Sequence, residues 1–212
     1  MVDIKDVALA GHHLILRSPS SDDLEGLCDA ANDGEIWKNP FAVFPGADEM
    51  SVYLQNLIKH DSTVLPFIIV EKNSSRIIGM TRFLHMDNKN RRVEIGHTWI
   101  AKSFHGTAVD TEAKFLMLQY AFEQLHCIKV EIRADVLNKI SIKAIEGLGA
   151  KQDGILRKHE IMKNGNIGNT ICYSIISEEW PDIRENIVTK LMGHKNRVYQ
   201  LIFYLMIFPI VI

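Results

Sequence analysis

Between Glu94 and Lys114 the chain reads EIGHTWIAKSFHGTAVDTEAK, an apolar strand that feeds a loop of small residues and opens directly into an amphipathic helix. That order constrains the fold, because it ties the end of a strand to the start of a helix, and it makes an anion site. A helix leaves its first backbone N–H groups unpaired and carries about half a positive charge at its N-terminus. Phosphates bind there. Ser103, Phe104, His105, Gly106, Thr107 and Ala108 supply the turn, and Gly106, lacking a Cβ, lets the backbone approach a bound group closely. Thr107 and Asp110 have the spacing of a capping box, with Asp shorter than the preferred Glu or Gln.

The elements around this segment alternate in an ordered way. His12 to Arg17 reads as a strand, and Ser18-Pro19-Ser20-Ser21 before Asp22 reads as a helix start leading to Leu24, Leu27, Cys28 and Ala31. Gly34 to Gly46 is irregular and carries Trp37, Phe41 and Phe44, with a second helix expected over Asp48 to His60. The helix pair could wall a substrate cleft, although Phe41 and Phe44 read more simply as anchors of the loop. Val64 to Glu71, Arg76 to Phe83 and Val93 to Ala101 form an antiparallel meander that ends at the glycine loop.

Helix Asp110 to Leu125 presents Ala113, Leu116, Met117, Tyr120, Ala121 and Phe122 as an apolar stripe suited to packing on a sheet. Ile128, Val130, Ile132 and Ala134 then alternate as a strand, and Asn138 precedes a helix in which Ile140, Ala144 and Leu148 recur every fourth residue up to Gly149. The strand Ala150 to Met162 turns at Asn164-Gly165 and returns through Thr170 to Ile176.

At 212 residues and 47% apolar content the chain can bury a substantial core in one domain with an extension. A net charge of −2 argues against the basic surface that nucleic-acid binding needs. Cys28, Cys127 and Cys172 are odd in number and far apart, so neither a disulfide framework nor a zinc cluster is expected. The N-terminus, with Asp3, Lys5 and Asp6, lacks an apolar signal core, and a reducing cytoplasm is the expected setting. None of the nine histidines is spaced for metal; His12 and His13 are expected on opposite faces of a strand, and His97 and His105 to be ordinary structural residues.

The loop Ser103-Phe104-His105-Gly106-Thr107-Ala108 resembles the acetyl-coenzyme A signature Gln/Arg-x-x-Gly-x-Gly/Ala of the GNAT N-acetyltransferases, with Gly106 and Ala108 matching and Ser103 departing. Asn138-x-x-Ser141, Leu148-Gly149-Ala150 and Trp180-Pro181 add to the resemblance, as does Thr111-Glu112-Ala113-Lys114 after the loop. Within that superfamily the chain looks like the ribosomal-protein N-terminal acetyltransferase (RimJ/RimL-type) branch. The resemblance implies an α/β fold of α+β mixed-sheet type: a twisted sheet of about seven strands splayed in the middle and flanked by about four helices. The resemblance runs from about Leu14 to Ile187, and the domain is expected over residues 1–188, leaving 189–212 as an extension.

The same resemblance implies acetyl-CoA as co-substrate, no metal, and direct transfer of the acetyl group to a primary amine in a ternary complex. Amides of Trp99, Ile100 and Ala101 would meet the pantetheine arm and the thioester oxygen, whose growing charge needs positioned donors worth roughly 3 to 4 kcal/mol each. The loop from Ser103 to Ala108 would hold the pyrophosphate, Asn138 the pantetheine amides, and Lys143 a nucleotide phosphate. Glu94 is the expected general base and Glu131 the reserve. Many members carry a tyrosine where this chain has Ile145, which leaves Ser141 as the expected proton donor to the thiolate. Trp37 is the expected acceptor-side residue. A degenerate, acyl-CoA-binding module acting as sensor or interaction protein is the alternative, motivated by Ser103 and Ile145.

An α-amine costs about 1 kcal/mol to deprotonate at neutral pH and a lysine about 4.6 kcal/mol, so an α-amine, on a protein N-terminus or a small molecule, asks less of such an enzyme. The uncharged end Leu201 to Ile212 would span only about 18 Å as a helix, against about 30 Å of hydrocarbon, and so cannot cross a membrane. A core or homodimer element, a membrane-surface contact and a non-native extension all stay open for it, with packing or self-association favoured.

Overall fold

The computed structural model describes residues 7–59 and 61–192, so the apolar end at 201–212 lies outside the described residues. Among the described residues five α-helices surround one sheet of eight strands: β1 (Ala8–Ala10), β2 (Leu14–Arg17), α1 (Leu24–Asn32), α2 (Ala47–Ile58), β3 (Leu65–Glu71), β4 (Ile77–Asp87), β5 (Arg92–Ile100), α3 (Val109–Gln119), β6 (Lys129–Asp135), α4 (Lys139–Gly147), β7 (Lys151–Ile161), β8 (Ile167–Ile176) and α5 (Trp180–Met192). The strand order is β1-β2-β3-β4-β5-β6-β8-β7. All neighbours are antiparallel except β5 and β6, which α3 joins as a parallel pair. The expected mixed sheet is therefore present, with β1 and α5 added to the elements read from the sequence. The last helix runs through the boundary expected at 188.

Alternation along β3 divides the core between the two faces. Phe67 and Ile69 join Leu16, Phe83, Ile95 and the buried side of α3, while Ile68 joins Met80, Trp99 and the inner sides of α1 and α2. Helix α3 is buried almost all round because α5 covers it from outside: Trp180 lies 5.4 Å from the Phe122 ring and 6.1 Å from that of Phe115. Truncating a buried Trp of this kind costs about 3–5 kcal/mol. The α5 segment escaped sequence reading because its polar positions dilute the apolar stripe of Trp180, Ile183, Ile187 and Val188, and Pro181 sits in its first turn, where proline is tolerated.

Two helix starts differ in kind. Ser20 and Asp23 form a capping box ahead of α1, and Asp23 also takes both amino groups of Arg17 at 2.9 and 2.6 Å, clamping the end of β2 to the helix. The box expected at Thr107 and Asp110 does not form. Ala108 occupies the cap position of α3, the Thr107 hydroxyl donates to the Phe104 carbonyl at 2.7 Å, and Asp110 pairs with Lys114 one turn on, which its short side chain reaches more readily than the backbone behind it. In α4 the buried position is Ile145, with Ile142 beside it and Leu148 buried just past the helix end, whereas Ile140, expected on the inner face, is 83% exposed. His12 and His13 do not straddle a strand either: their rings lie 4.3 Å apart before β2, and His13 binds Glu112 of α3 through its N–H at 2.8 Å and Nδ1 at 2.6 Å.

Candidate active site

The sheet splits where β5 and β6 part. Their register runs from Arg92↔Lys129 to Ile95↔Ile132 and stops, so Gly96–Ile100 and Arg133–Asp135 diverge with backbone groups left between them. A bulge strengthens the divergence. Arg82 of β4 faces Gly96 while Met80 faces Trp99, which places an extra residue on β5, and His97 takes it up at φ 50°. Ala101 donates its N–H to the Ile78 carbonyl at 2.7 Å and therefore turns away from the split, unlike the donor role expected of it. Backbone groups alternate along a strand, so Ile100 turns toward the split, where His105 Nε2 reaches its carbonyl at 2.7 Å.

The loop after β5 holds its shape by local bonds. Lys102–Phe104 forms a single 3₁₀ turn, Phe104 packs against the core clusters on both faces of the sheet, and Gly106 sits at φ +75°. A Cβ built on Gly106 would meet no atom within 4 Å. Among the described residues the N–H groups of Gly106 and Ala108 have no hydrogen-bond partner, and they stand at the start of α3. A pyrophosphate fits this cradle: free donors, a helix N-terminus and an open approach over the glycine. Ser103 is otherwise engaged, with its N–H at 3.2 Å and its hydroxyl at 2.6 Å from the Asp33 carboxylate.

Across the split, Asn138 caps α4 by accepting from the Ser141 N–H at 3.1 Å. Ser141 is half-buried and Lys143 exposed in the first turns of that helix, while Ile145 is core and so contributes no group to the cleft.

Glu94 and Glu131 lie side by side in the parallel register, and Arg133 serves both. Its Nη2 is 2.8 Å from Glu131 Oε2, and its Nε is 3.2 Å from Glu94 Oε2 without hydrogen-bond geometry. Burial pushes the Glu131 carboxyl up, but the Arg133 hydrogen bond and the charges of Lys129 and Arg133 outweigh it and hold Glu131 below the ordinary value. Glu94, 8% exposed, also receives His85 Nδ1 at 3.0 Å on Oε2. Its other oxygen, Oε1, lies 3.3 Å from where a Gly96 Cβ would stand, at the mouth of the split. Of the two acids, Glu94 is thus the one with an oxygen at the cleft.

The opposite wall belongs to the loop between α1 and α2. Phe44 stacks on Trp99 with ring centroids 4.2 Å apart, and Trp37 packs on Gly46 with its indole nitrogen buried and unpartnered. Lys163, in the β7–β8 turn, closes the wall by donating to the Phe44 carbonyl at 2.5 Å. Arg82 faces Gly96 and binds Tyr53, and Asp33 binds Ser103; none of these three was singled out from sequence, whereas His97 was expected to be an ordinary structural residue, and a lone Arg within the apolar run Ile77 to Leu84 was the available signal for Arg82. Protein crowding, with the charges of Arg82 and His85, pushes the His97 imidazole down to about 4 although the residue keeps access to solvent. Burial raises all three cysteine thiols, Cys127 to about 11, so none is a ready nucleophile. Among the described residues no group of side chains could hold a metal ion, and no helix is long and apolar enough to cross a membrane.

The acetyltransferase (GNAT) domain family matches residues 13–151. The chain is 27% identical over 171 residues to N-acetyltransferase p20 of Bacillus licheniformis, a protein called uncharacterized, across 79% of this chain and 94% of that one. Over 104 residues it is 36% identical to YdaF of Bacillus subtilis (strain 168), named as a candidate ribosomal N-acetyltransferase, across 49% of this chain and 56% of that protein. A solved acetyltransferase candidate from T. thermophilus superposes with a TM-score of 0.77 at 26% identity, across 87% of this chain and 97% of that one. The family match runs from β2 to the first residue of β7 and takes in the split, the glycine loop and α4; on it, the chain belongs to the GNAT acetyltransferases and is an acetyl-CoA-dependent N-acetyltransferase.

Proposed function

We propose that the acceptor is a primary amine of the α-amine type, on a protein N-terminus or a small molecule, and that it attacks directly with Glu94 as general base. The observation that carries this reading is Glu94 Oε1 standing beside Gly96 at the mouth of the split, while its partner oxygen is held by His85 and Arg133. The name of the relative YdaF favours the RimJ/RimL-type branch and a protein N-terminus.

Acetyl-CoA supplies an activated acetyl thioester. The amides of Gly106 and Ala108 hold its pyrophosphate at the start of α3, and the Ile100 N–H, on the split side of β5, donates to the carbonyl oxygen as charge develops there. Phe104, His105 and Thr107 keep the loop in shape, with Ser103 fastened to Asp33 behind it. Trp99 and Trp37 wall the acceptor side. Glu94 takes the proton from the amine, directly or through one water. Asn138 holds the start of α4 so that Ser141 can pass its hydroxyl proton to the departing thiolate, and Lys143 meets the nucleotide end.

Thermal unfolding with and without acetyl-CoA tests the binding half: a ligand at about 100 times its Kd adds about 2.7 kcal/mol of stability. Thiol release with peptides bearing free or blocked N-termini and with lysine-only acceptors tests the acceptor class. Release confined to lysine side chains overturns it.

A further inference from the structure

Among the described residues Arg82 is a buried cation without an anion. The residue is 8% exposed in the middle of β4, and its Nη2 donates to the Tyr53 hydroxyl, whose ring lies 5.5 Å from the guanidinium. Its Nε is buried with no partner, and among the described residues no carboxylate comes within ion-pair distance. A buried charge ordinarily has a counter-charge, because burial alone is costly. Here the acids on the same face are committed elsewhere, Glu94 to His85 and Arg133, and Glu131 to Lys129 and Arg133.

A second unused donor stands close by. The indole nitrogen of Trp99 is buried and unpartnered, near the Tyr53 oxygen yet outside hydrogen-bond geometry. Buried polar atoms in native proteins are nearly always paired, so the orphaned N–H groups of Arg82 and Trp99, both beside Tyr53, point to a missing acceptor. The position is informative as well. Arg82 lies directly across the ladder from Gly96, the residue over which Glu94 Oε1 sits, and neighbouring strands are about 5 Å apart.

On the reading that Glu94 receives the amine, we propose that the acceptor carries a carboxylate or phosphate a few bonds from its amine, and that this anion binds Arg82 together with the hydroxyl of Tyr53 and the indole N–H of Trp99. The site then distinguishes acceptors by charge: an anion satisfies Arg82, and a neutral analogue leaves it unpaired.

The test uses matched acceptors, O-phosphoethanolamine against ethanolamine and β-alanine against β-alaninamide, with a peptide pair whose second residue is Asp or Asn. Each is titrated into the full chain saturated with coenzyme A and followed by tryptophan fluorescence, and inorganic phosphate is titrated into the free protein. The anionic member of at least one pair is expected to bind tenfold or more tightly than its neutral twin. Preference in the small pairs marks a small-molecule acceptor, and preference in the peptide pair an acidic N-terminus. Arg82→Met should abolish the preference while leaving stabilisation by acetyl-CoA in place, and Tyr53→Phe should weaken it if the first variant does not fold. Equal binding of the twins throughout, or a preference that survives Arg82→Met, overturns the inference and leaves the acetyl-CoA reading standing. Loss of stabilisation by acetyl-CoA in the unmodified chain would instead strike the proposed function.

Discussion

The Ser103 hydroxyl donates to the Asp33 carboxylate at 2.6 Å, joining the glycine loop after β5 to the segment that follows α1. Family members usually have Gln or Arg at the Ser103 position; a short side chain here reaches a carboxylate brought close by Gly34 at φ +76°, where a Cβ would stand 2.4 Å from that of Lys102. Asp33→Ala removes two hydrogen bonds to a charged but solvent-accessible group, expected to cost about 1 kcal/mol, or about fivefold in the KM for acetyl-CoA. Kinetics with a saturating acceptor check this, and an unchanged KM would mean that the latch does not position the loop.

Gly106→Ala separates backbone strain from cofactor access. The left-handed conformation at φ +75° costs an alanine about 1–2 kcal/mol, and no protein atom opposes the new methyl. Thermal melts should record that small loss, while the KM for acetyl-CoA rises more steeply because the methyl enters the approach to the free amides. Equal effects on stability and affinity would remove Gly106 from the binding cradle.

Glu94→Gln retains the shape and neighbours of the side chain and removes its basicity. Its kcat should fall about 10²- to 10⁴-fold. Stabilisation by acetyl-CoA should persist, because the polar partners of Glu94 among the described residues are His85 and Arg133 and not the glycine loop. Glu131→Gln should act mainly through the loss of the Arg133 bond and cost much less. A larger loss in the second variant would reverse the assignment.

Asp23 governs an acid limb of stability. Burial raises its carboxyl, but the Arg17 and Ser20 bonds outweigh burial and hold it below the usual carboxylate range. The folded chain therefore holds this proton less tightly than the unfolded one, and the contribution is complete above about pH 4, the unfolded value, and lost as pH falls through the depressed folded value. Asp23→Asn should destabilise by about 2 kcal/mol at neutral pH, less than for a fully buried pair because the Arg17 side chain is 37% exposed. The difference from the parent should shrink in strong acid, which denaturant melts across pH would record.

His97 acts in a higher window. An unfolded imidazole takes its proton near about pH 6.5, whereas the folded residue, crowded in the cleft and beside Arg82 and His85, does so at about 4. Between these values the unfolded chain binds more protons, so stability should decline as pH is lowered through that interval. Nuclear magnetic resonance should find His97 neutral from pH 6 to 8, and His97→Asn should remove this part of the pH slope.

Most elements were legible in the sequence because their signals are local. Alternating apolar residues in β3 and β6, the Asn164-Gly165 turn and the glycine loop each lie within a few residues of one another. Reading failed where the deciding partner is remote or the signal diluted. The buried face of α4 is set by α5 and β6 and not by its own four-residue spacing, and α5 shows little periodicity before it meets α3. The choice between Glu94 and Glu131 depends on which carboxylate oxygen Arg133 and His85 leave open, across two strands that α3 brings together.

The sequence by itself determined the order of strands and helices, the turn that forces Gly106 to positive φ, and the small-residue entry to α3, since these follow from short-range sterics and hydrogen bonding. Tertiary structure alone decided that Ser103 meets Asp33, that Ala101 turns toward Ile78, and that Arg82 is buried with no counter-charge among the described residues. Those outcomes depend on strand register and on how β5 and β6 diverge. Both are set by the packing of the whole sheet, which no window of the chain contains.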